Sequence, residues 1–232
     1  MNTKYLYFVE RLLLADIIQW DIENWSKALP FWEPFLPAGE GLKVGAFGER
    51  EGGLSLWLAQ KGFQVECSDF NADMAPAQEL HKKHEVDHLV SYSKQDITQS
   101  TFEDNHFDVV LFKSVIGALG DKDRQEKAFK ELYRVLKPGG LLIFAENTVA
   151  TKMHEFARKK FNNWGDRWRY IKIDETKEML SDFSDMKFKS QGLMATFGRN
   201  EGQRRAITKM GKPVSKLVPN NWNYILFGAC VK

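Results

Sequence analysis

The chain has 232 residues, of which 43% are hydrophobic and 28% charged, and its formal net charge is +2. This size and balance suit a single globular domain with a long elaboration, and they exclude a disordered or membrane-spanning chain. Charged residues interrupt the short apolar run at residues 12–14, which argues against a signal peptide. We therefore expect a cytoplasmic protein in which Cys67 and Cys230 are buried free thiols.

Charge is distributed unevenly along the chain. Residues 1–150 hold 16 lysines and arginines against 23 acidic residues, whereas residues 151–232 hold 17 against 8. The basic C-terminal part either attracts an anionic substrate through its long-range field or provides a solvated surface that keeps the protein soluble. Both interpretations stay open on composition alone.

The first 36 residues are helical in pattern and rich in aromatic side chains. They include Tyr5, Tyr7, Phe8, Trp20, Trp25, Phe31, Trp32 and Phe35. Such helices either pack onto the core as an accessory layer or cover the mouth of a binding site. We favour the packing role and treat this segment as an N-terminal helical cap.

From residue 41 onward, short apolar runs alternate with longer stretches of helical pattern. Strands are predicted at residues 41–46, 63–68, 89–93, 107–112, 140–146, 187–197 and 222–231, and helices at 53–61, 72–84, 121–136 and 201–210. Because crossovers long enough for helices separate the strands, the sheet should be mainly parallel and covered on both faces. The pattern predicts a doubly wound α/β fold that ends in a hairpin-like pair of strands.

A glycine-rich segment follows the first predicted strand. Gly45, Gly48, Gly52 and Gly53 allow tight turns and a close approach of a ligand to the backbone. The next helix should present unpaired N–H groups, which suit a carboxylate or a phosphate. Such a strand–turn–helix fits NAD, FAD or S-adenosylmethionine, and it equally fits simple close packing.

Two acidic residues stand at the ends of the next predicted strands. Asp69 ends the second strand, where it can accept hydrogen bonds from both hydroxyls of a ribose. Asp96 follows the third strand and could accept from an adenine amino group while Ile97 packs on the ring. Asp69 would serve a dinucleotide equally well, and Asp96 alone could simply cap a turn.

With these motifs in order, the chain resembles the class I S-adenosylmethionine-dependent methyltransferases. The resemblance covers residues 41–147 and includes the strand at 107–112 and the Lys-Pro-Gly-Gly turn at 137–140. It implies a Rossmann-like, mainly parallel seven-stranded sheet whose last strand is antiparallel, with the cofactor across the carboxyl ends of the strands. The cofactor-binding residues that it implies are Gly45, Ala46, Phe47, Gly48, Arg50, Gly52, Gly53, Asp69, Phe70, Asp96, Ile97 and Lys113.

The chain departs from the family pattern in two places. Its glycine loop is longer than the usual E-x-G-x-G-x-G form, and Lys43 stands where an acid commonly precedes the first glycine by two residues. Glu49 or Glu51 could replace that acid in contacting the amine of the cofactor. Arg50 could instead meet the methionine carboxylate.

A catalytic base is expected beyond the fourth and fifth strands. Methyl transfer from a sulfonium depends largely on positioning, but a weakly acidic hydroxyl acceptor also needs a base. The candidates are Lys113, Ser114, Glu146, Asn147 and His154, of which His154, Glu146 and Lys113 are preferred. His154 is the first choice because it titrates near neutral pH and shares a predicted helix face with Arg158. The alternatives are a packing role for His154 and a loop-organising role for Glu146.

Later segments interleave cations with aromatic side chains. The predicted substrate-binding residues are Asn147, Arg158, Trp164, Arg167, Arg199 and Arg204. Residues 112–115, 145–147, 164–165 and 197–199 loosely resemble bacterial surface-polysaccharide methyltransferases. That resemblance implies O-methylation of a sugar or a sugar phosphate. The basic C-terminal part fits an anionic substrate such as a phosphorylated or carrier-linked glycan, and it would also fit RNA. Arg199 would lie beside the electropositive start of the predicted helix at residues 201–210, where it could hold an anion. Ordinary surface arginines are an equal alternative for Arg199 and Arg204.

Other functions stay open. RNA methylation would use the same chemistry and show a steep salt dependence, whereas an NAD-dependent oxidoreductase would use residues 45–53 and Asp69. A noncatalytic protein of the same fold is the third alternative.

His81, His84 and His88 have helical spacing but no accompanying thiolate, so no metal site is expected. We expect one domain with a cap at residues 1–36, a cofactor-binding core at 37–147 and a substrate-side part at 148–232.

Overall fold

A computed structural model describes residues 3–39, 41–71, 73–161, 167–213 and 217–232, with the side chains of residues 3–9 and 161 left undescribed. Its strands form one sheet in the order β3-β2-β1-β4-β5-β7-β6. The strands are β1 (Lys43–Phe47), β2 (Gln64–Asp69), β3 (Val90–Lys94), β4 (Phe107–Lys113), β5 (Leu136–Asn147), β6 (Ser184–Gln191) and β7 (Ile225–Val231). Strands β1 to β5 are mutually parallel, and β7 runs antiparallel to both of its neighbours. The predicted seven-stranded, Rossmann-like methyltransferase fold is confirmed.

Helices connect the strands and flank both faces of the sheet. In the described residues they are α1 (Thr3–Ile18), α2 (Ile22–Trp25), α3 (Ala28–Trp32), α4 (Gly53–Ala59), α5 (Ala75–Lys83), α6 (Lys122–Val135), α7 (Lys152–Phe161), α8 (Ile173–Met179) and α9 (Glu201–Gly211). None of the helices in the described part of the chain is long and apolar enough to span a bilayer.

The central strands are buried on both faces, which explains their continuous apolar runs. Along β4, Val109 and Leu111 belong to the hydrophobic core on one face, and Val110 and Phe112 to the core on the other. Side chains alternate across a strand, so an apolar residue is needed at every position when both faces are covered. The two cysteines are buried and free, as predicted.

The N-terminal helices pack onto the sheet as expected. Trp25 and Trp32 are fully buried, and the indole N–H of Trp32 donates to the carbonyl oxygen of Gly228 in β7 at 3.0 Å. This bond satisfies the polar end of a ring that is otherwise enclosed by the core. Trp20, which follows α1, remains about one-third exposed.

Two strand boundaries differ from the predictions by four residues or more. β5 begins at Leu136 instead of residue 140, because the segment after α6 pairs at once with Phe107 and then passes through an irregularity in register. β6 ends at Gln191 instead of residue 197, because Gly192 turns the chain with a φ of 81°. The predicted hairpin-like pair is present, and β7 lies between β5 and β6.

Candidate functional site

The glycine-rich loop leaves β1 at the edge of the sheet where the parallel strands end. β1 extends to Phe47, so the loop begins at Gly48 and leads into α4. Gly48 and Gly52 both have a φ of 70°, a conformation that glycine adopts without strain. The N–H of Glu49 donates to the carbonyl oxygen of Ser68 at 2.9 Å, which binds the loop to β2.

The register of this motif differs from the expectation. Gly45 lies inside β1, where an added Cβ would sit 2.7 Å from an aromatic ring of β4, so Gly48 is the glycine that opens the loop. The position two residues before it is Ala46 instead of Lys43, and Arg50 takes the place of the middle glycine. The turn between β1 and α4 therefore comprises residues 48–52. Its departure from the family pattern stays a prediction.

The N-terminus of α4 already holds a carboxylate from the chain itself. Glu49 is buried, and its Oε2 accepts hydrogen bonds from the backbone N–H groups of Leu54 at 2.9 Å and Ser55 at 3.0 Å. Burial raises the pKa of Glu49, and these hydrogen bonds act in the opposite direction. The expectation of unpaired N–H groups at this helix start was wrong for these two, because an internal carboxylate accepts from both.

The segment after α1 lies across the tips of β1 and β4. The carbonyl oxygen of Ile17 comes so close to Gly53 that an added Cβ would lie 2.1 Å from it. Lys113, at the end of β4, donates from Nζ to the carbonyl oxygen of Ile18 at 3.0 Å, and Nζ lies 5.9 Å from the centre of the Trp20 ring. Burial lowers the pKa of Lys113, while the nearby carboxylates favour its charged form. Its ammonium thus contacts the N-terminal segment.

The two predicted acids lie at the ends of β2 and β3. Asp69 Oδ1 accepts from the N–H of Asn71 at 2.8 Å, and Asp96 Oδ1 accepts from the N–H of Thr98 at 2.8 Å. Each of these bonds uses one carboxylate oxygen. Between the two acids, Phe70 is exposed over 63% of its surface and Lys94 lies over its ring, whereas Ile97 is buried in the core.

A buried histidine supports the glycine loop from behind. His81 of α5 donates from Nε2 to the carbonyl oxygen of Gly52 at 2.8 Å, and its Nδ1 lies 2.8 Å from the hydroxyl of Tyr92. The acceptor at Nε2 requires the proton there, so Tyr92 donates to Nδ1. The sequence analysis considered this histidine only as a metal ligand. Within the described residues, no group of three potential ligands could hold a metal.

A cavity of about 840 Å³ lies beyond the ends of β4 and β5. Of the predicted site residues, it brings together Asn147, His154, Arg158, Arg199 and Arg204. Its other lining residues are Trp20, Ser114, Ala157, Trp168, Tyr170, Thr196, Phe197 and Gly198. These described lining residues include three guanidinium groups and no carboxylate.

His154 lines this cavity, and both of its ring nitrogens are hydrogen-bonded. Nε2 donates to the carbonyl oxygen of Leu193 at 2.7 Å, and Nδ1 lies 2.7 Å from Oγ1 of Thr151. Burial lowers the pKa of His154, so the imidazole is neutral at pH 7. The basic lone pair is therefore on Nδ1 and faces the threonine hydroxyl.

Glu146 organises the turn after β4 from beneath the cavity. It is fully buried, and its Oε2 accepts from the N–H groups of Val115 at 2.8 Å and Ile116 at 2.7 Å. Burial raises its pKa to about 7, against the backbone hydrogen bonds that favour the charged form. The turn presents Ser114, whose hydroxyl accepts from the side-chain amide of Asn147 at 2.8 Å. Ser114 and Asn147 both line the cavity.

The cavity arginines differ in how firmly they are held. Arg158 is buried, with its guanidinium stacked 3.7 Å from the ring of Tyr170 and Nη1 donating to the carbonyl oxygen of Thr148 at 2.7 Å. Arg204 pairs with Glu201 at 2.6 Å. Arg199 is exposed at the rim.

One predicted substrate residue is not part of this cavity lining, and another cannot be placed. Arg167 is exposed and absent from the lining, and Trp164 lies outside the described residues. Conversely, the sequence analysis favoured a packing role for the aromatic cap, whereas Trp20 of that cap lines the cavity. The signal available was its position immediately after a helix, beside residues with left-handed backbone such as Gln19.

Comparisons with known proteins agree with this geometry. Residues 43–144 match the family model of a methyltransferase domain. The ubiquinone/menaquinone biosynthesis C-methyltransferase UbiE of Shewanella frigidimarina is 33% identical over 131 residues, which cover 54% of this chain and 49% of that protein. The putative methyltransferase YqeM of Bacillus subtilis is 33% identical over 139 residues, covering 59% and 56%. The chain thus spans about half the length of these curated relatives.

Solved structures share the fold over most of the chain. Phosphoethanolamine N-methyltransferase 2 of Haemonchus contortus, in complex with S-adenosyl-L-methionine, has a TM-score of 0.66 at 22% identity, covering 90% of this chain and 52% of that one. Geranyl diphosphate C-methyltransferase of Streptomyces coelicolor has a TM-score of 0.66 at 14% identity, covering 88% and 78%. These structures share the fold of the chain, and residues 43–144 within it match the methyltransferase-domain model.

Proposed function

We propose, from the methyltransferase domain at residues 43–144, that the protein transfers the methyl group of S-adenosylmethionine to an anionic small molecule bound beyond β4 and β5. The observation that carries the substrate class is the cavity of about 840 Å³, which is lined by Arg158, Arg199 and Arg204 and by no described carboxylate. Guanidinium groups bind carboxylates and phosphates in preference to neutral ligands. The cavity adjoins the strand ends across which such a domain holds its cofactor.

The strand tips fit the adenosyl half of the cofactor. Asp69 would accept from the ribose and Asp96 from the adenine amino group, each through the oxygen that its local hydrogen bond leaves over. Phe70 offers an exposed ring beside them. Gly48 and Gly52 let the loop approach the ligand closely.

The methionine half would be held differently from the family pattern. Because Glu49 already accepts from the N–H groups at the start of α4, the cofactor carboxylate would pair with Arg50 instead. The Arg50 side chain is 52% exposed, and its Nη2 lies 3.9 Å from Oδ2 of Asp73. Ala46 supplies no carboxylate for the cofactor amine, and Glu51 is an exposed candidate for that contact. A loss of cofactor binding in Arg50→Ala, with Arg124→Ala on α6 as the control, would support this assignment.

The cavity residues can orient an acceptor and receive its proton. Ser114 and Asn147 form a hydrogen-bonded pair at the cavity wall, which suits a hydroxyl of the acceptor. When methyl transfer to a hydroxyl forms the new C–O bond, the acceptor proton must leave. His154 would take it at Nδ1, either directly after displacing Thr151 or through the hydroxyl of Thr151. An acceptor that is already a carbanion, or a neutral amine, would need no such proton transfer.

The finer proposal is O-methylation of a phosphorylated or carrier-linked sugar. Arg158 stacked on Tyr170, with Trp168 nearby, offers a cation for a phosphate and flat rings for a sugar face. Three of the proteins named above are C- or N-methyltransferases by name. The acceptors tested must therefore include several chemical classes.

Calorimetry and turnover together test the proposal. Calorimetry with S-adenosylmethionine, S-adenosylhomocysteine and NAD should show binding of the first two and not the third. Release of S-adenosylhomocysteine should then be measured with sugar phosphates, isoprenoid diphosphates, neutral sugars and RNA. Turnover only with neutral sugars would refute the anionic class, and a strong salt dependence with RNA would point to nucleic acid. A folded protein that binds neither sulfur compound would be a noncatalytic member of the fold.

Arg158→Met provides the sharper substrate test. It removes the charge but keeps a long side chain against Tyr170, so the KM for an anionic acceptor should rise by about tenfold or more while the KM for the cofactor stays constant. Arg167→Met, at an exposed position outside the cavity lining, is the matched control.

A further inference from the structure

Helix α7 has two chemically different faces. Its inner residues His154, Ala157 and Arg158 form part of the cavity wall. Its outer residues, Lys152, Met153, Phe156, Lys159 and Lys160, are all exposed and are named here the α7 outer face. At 100° per residue, these five positions occupy one continuous third of the helix circumference, opposite His154.

Large apolar side chains are unusually exposed on this face. Phe156 is 63% exposed and Met153 is 48% exposed. A single exposed apolar residue needs no explanation. Here, however, the two lie among three lysines, and Lys160 places its Nζ 5.8 Å from the centre of the Phe156 ring. Glu155 is the one acid of this helix, and it lies at the border of the face.

We propose that the α7 outer face docks onto the surface of an anionic lipid bilayer. Phe156 and Met153 would enter the boundary between headgroups and acyl chains, and the flanking lysines would meet lipid phosphates. The positive charge of the three lysines on this face favours an anionic bilayer as its binding partner. A second copy of the chain would place two lysine-rich faces against each other, which like-charge repulsion opposes.

This docking would set the cavity close to the membrane. Because α7 is about 10 Å wide with its side chains, the inner face that lines the cavity would lie roughly that distance above the headgroups. An amphiphilic acceptor with an anionic head could then reach the cavity while its apolar tail stays in the bilayer. The docking itself does not depend on methyl transfer, and it is measurable without any substrate.

Vesicle sedimentation tests the proposal with the full chain. The probes are vesicles of phosphatidylcholine alone and vesicles with about 30% phosphatidylglycerol, at about 50 mM and about 500 mM salt. The protein should bind the anionic vesicles at low salt and bind neutral vesicles at least about tenfold more weakly.

Two double variants separate the apolar and the electrostatic contributions. Met153→Ser with Phe156→Ser should lower the partition coefficient by about tenfold, and Lys152→Gln with Lys159→Gln should lower it by at least about tenfold. The matched controls are Leu12→Ser on α1, and Lys127→Gln with Lys130→Gln on α6, which should stay within about twofold of the original protein. Circular dichroism verifies that each variant is folded.

Three outcomes would overturn the proposal. One is no binding to anionic vesicles by the folded protein, and another is equal binding to neutral vesicles. The third is unchanged binding in the serine double variant, which would mean that the apolar residues do not enter the bilayer and that the face attracts acidic partners by charge alone.

Discussion

The internal carboxylate at the start of α4 leads to a quantitative prediction. Glu49 accepts two backbone hydrogen bonds in a fully enclosed position, from Leu54 at 2.9 Å and Ser55 at 3.0 Å. Hydrogen bonds to a charged group contribute about 1.5–3 kcal/mol each, and the burial of the carboxylate offsets part of that gain. Glu49→Ala should therefore lower the free energy of unfolding by about 3 kcal/mol.

A conservative variant separates the hydrogen bonds from the charge. Glu49→Gln keeps an oxygen that can accept from Leu54 and Ser55, so it should lose only about 1–2 kcal/mol. Because Lys113 is buried nearby and favours a negative Glu49, part of that loss reflects the missing charge. Leu54 and Ser55 would otherwise be left with N–H groups buried and unpaired, as in Glu49→Ala.

Urea titration of the three proteins is the assay, with the slope of the titration checked for constancy. Acetate gives a further check, because a small carboxylate can bind the helix start that Glu49→Ala vacates. Acetate should therefore raise the stability of Glu49→Ala and leave Glu49→Gln unchanged. If Glu49→Ala stays within about 0.5 kcal/mol of the original protein, the reasoning is refuted.

Three further predictions concern pH, cofactor and turnover. Burial raises the pKa of Asp21 from 3.8 to about 6 in the folded protein, so folding takes up a proton in that interval and stability should fall by up to about 3 kcal/mol as the pH rises from about 4 to about 6. Asp21→Asn should flatten this slope in urea titrations at several pH values, and an unchanged slope would contradict the assignment. Asp69→Ala should weaken S-adenosylhomocysteine binding by about 1–3 kcal/mol in calorimetry, and equal affinity would reject the ribose contact. His154→Ala should slow turnover of a hydroxyl acceptor by on the order of a hundredfold, whereas normal turnover would leave His154 as a packing residue.

The fold could be predicted because its physical signals are local. A strand buried on both faces must be apolar at successive positions, and β4 shows this directly from Phe107 to Phe112. Charged helices such as α6 between these runs leave few alternatives to a parallel sheet. The short α7 and α8 were less visible, because their apolar faces are narrow and interrupted by charged residues.

The start of the glycine loop could not be read from glycine spacing. The spacing of Gly45, Gly48 and Gly52 does not reveal where β1 ends. The ring of Phe107 fills the space above Gly45, so glycine is needed there within the strand, and β1 continues past it to Phe47. A contact between residues 62 positions apart leaves no mark in the local pattern.

The sequence predicted only part of the cavity lining, because one of its segments is brought there by tertiary packing alone. Asn147 is the last residue of β5 and His154 lies in the helix that follows it, so topology alone places them near the strand ends. Arg199 and Arg204 were identified by their charge beside a helix start. Trp20 reaches the same cavity from the N-terminal cap, and only tertiary packing brings that segment there.

The insertion of β7 between β5 and β6 constrains the order in which the sheet assembles. β6 precedes β7 in the chain, yet its backbone pairs only with β7 in the described sheet. Residues 184–191 therefore have no ladder partner until β7, a later segment of the chain, is available to pair with them. In pulse-labelling hydrogen exchange during refolding, their amides should gain protection no earlier than those of residues 225–231.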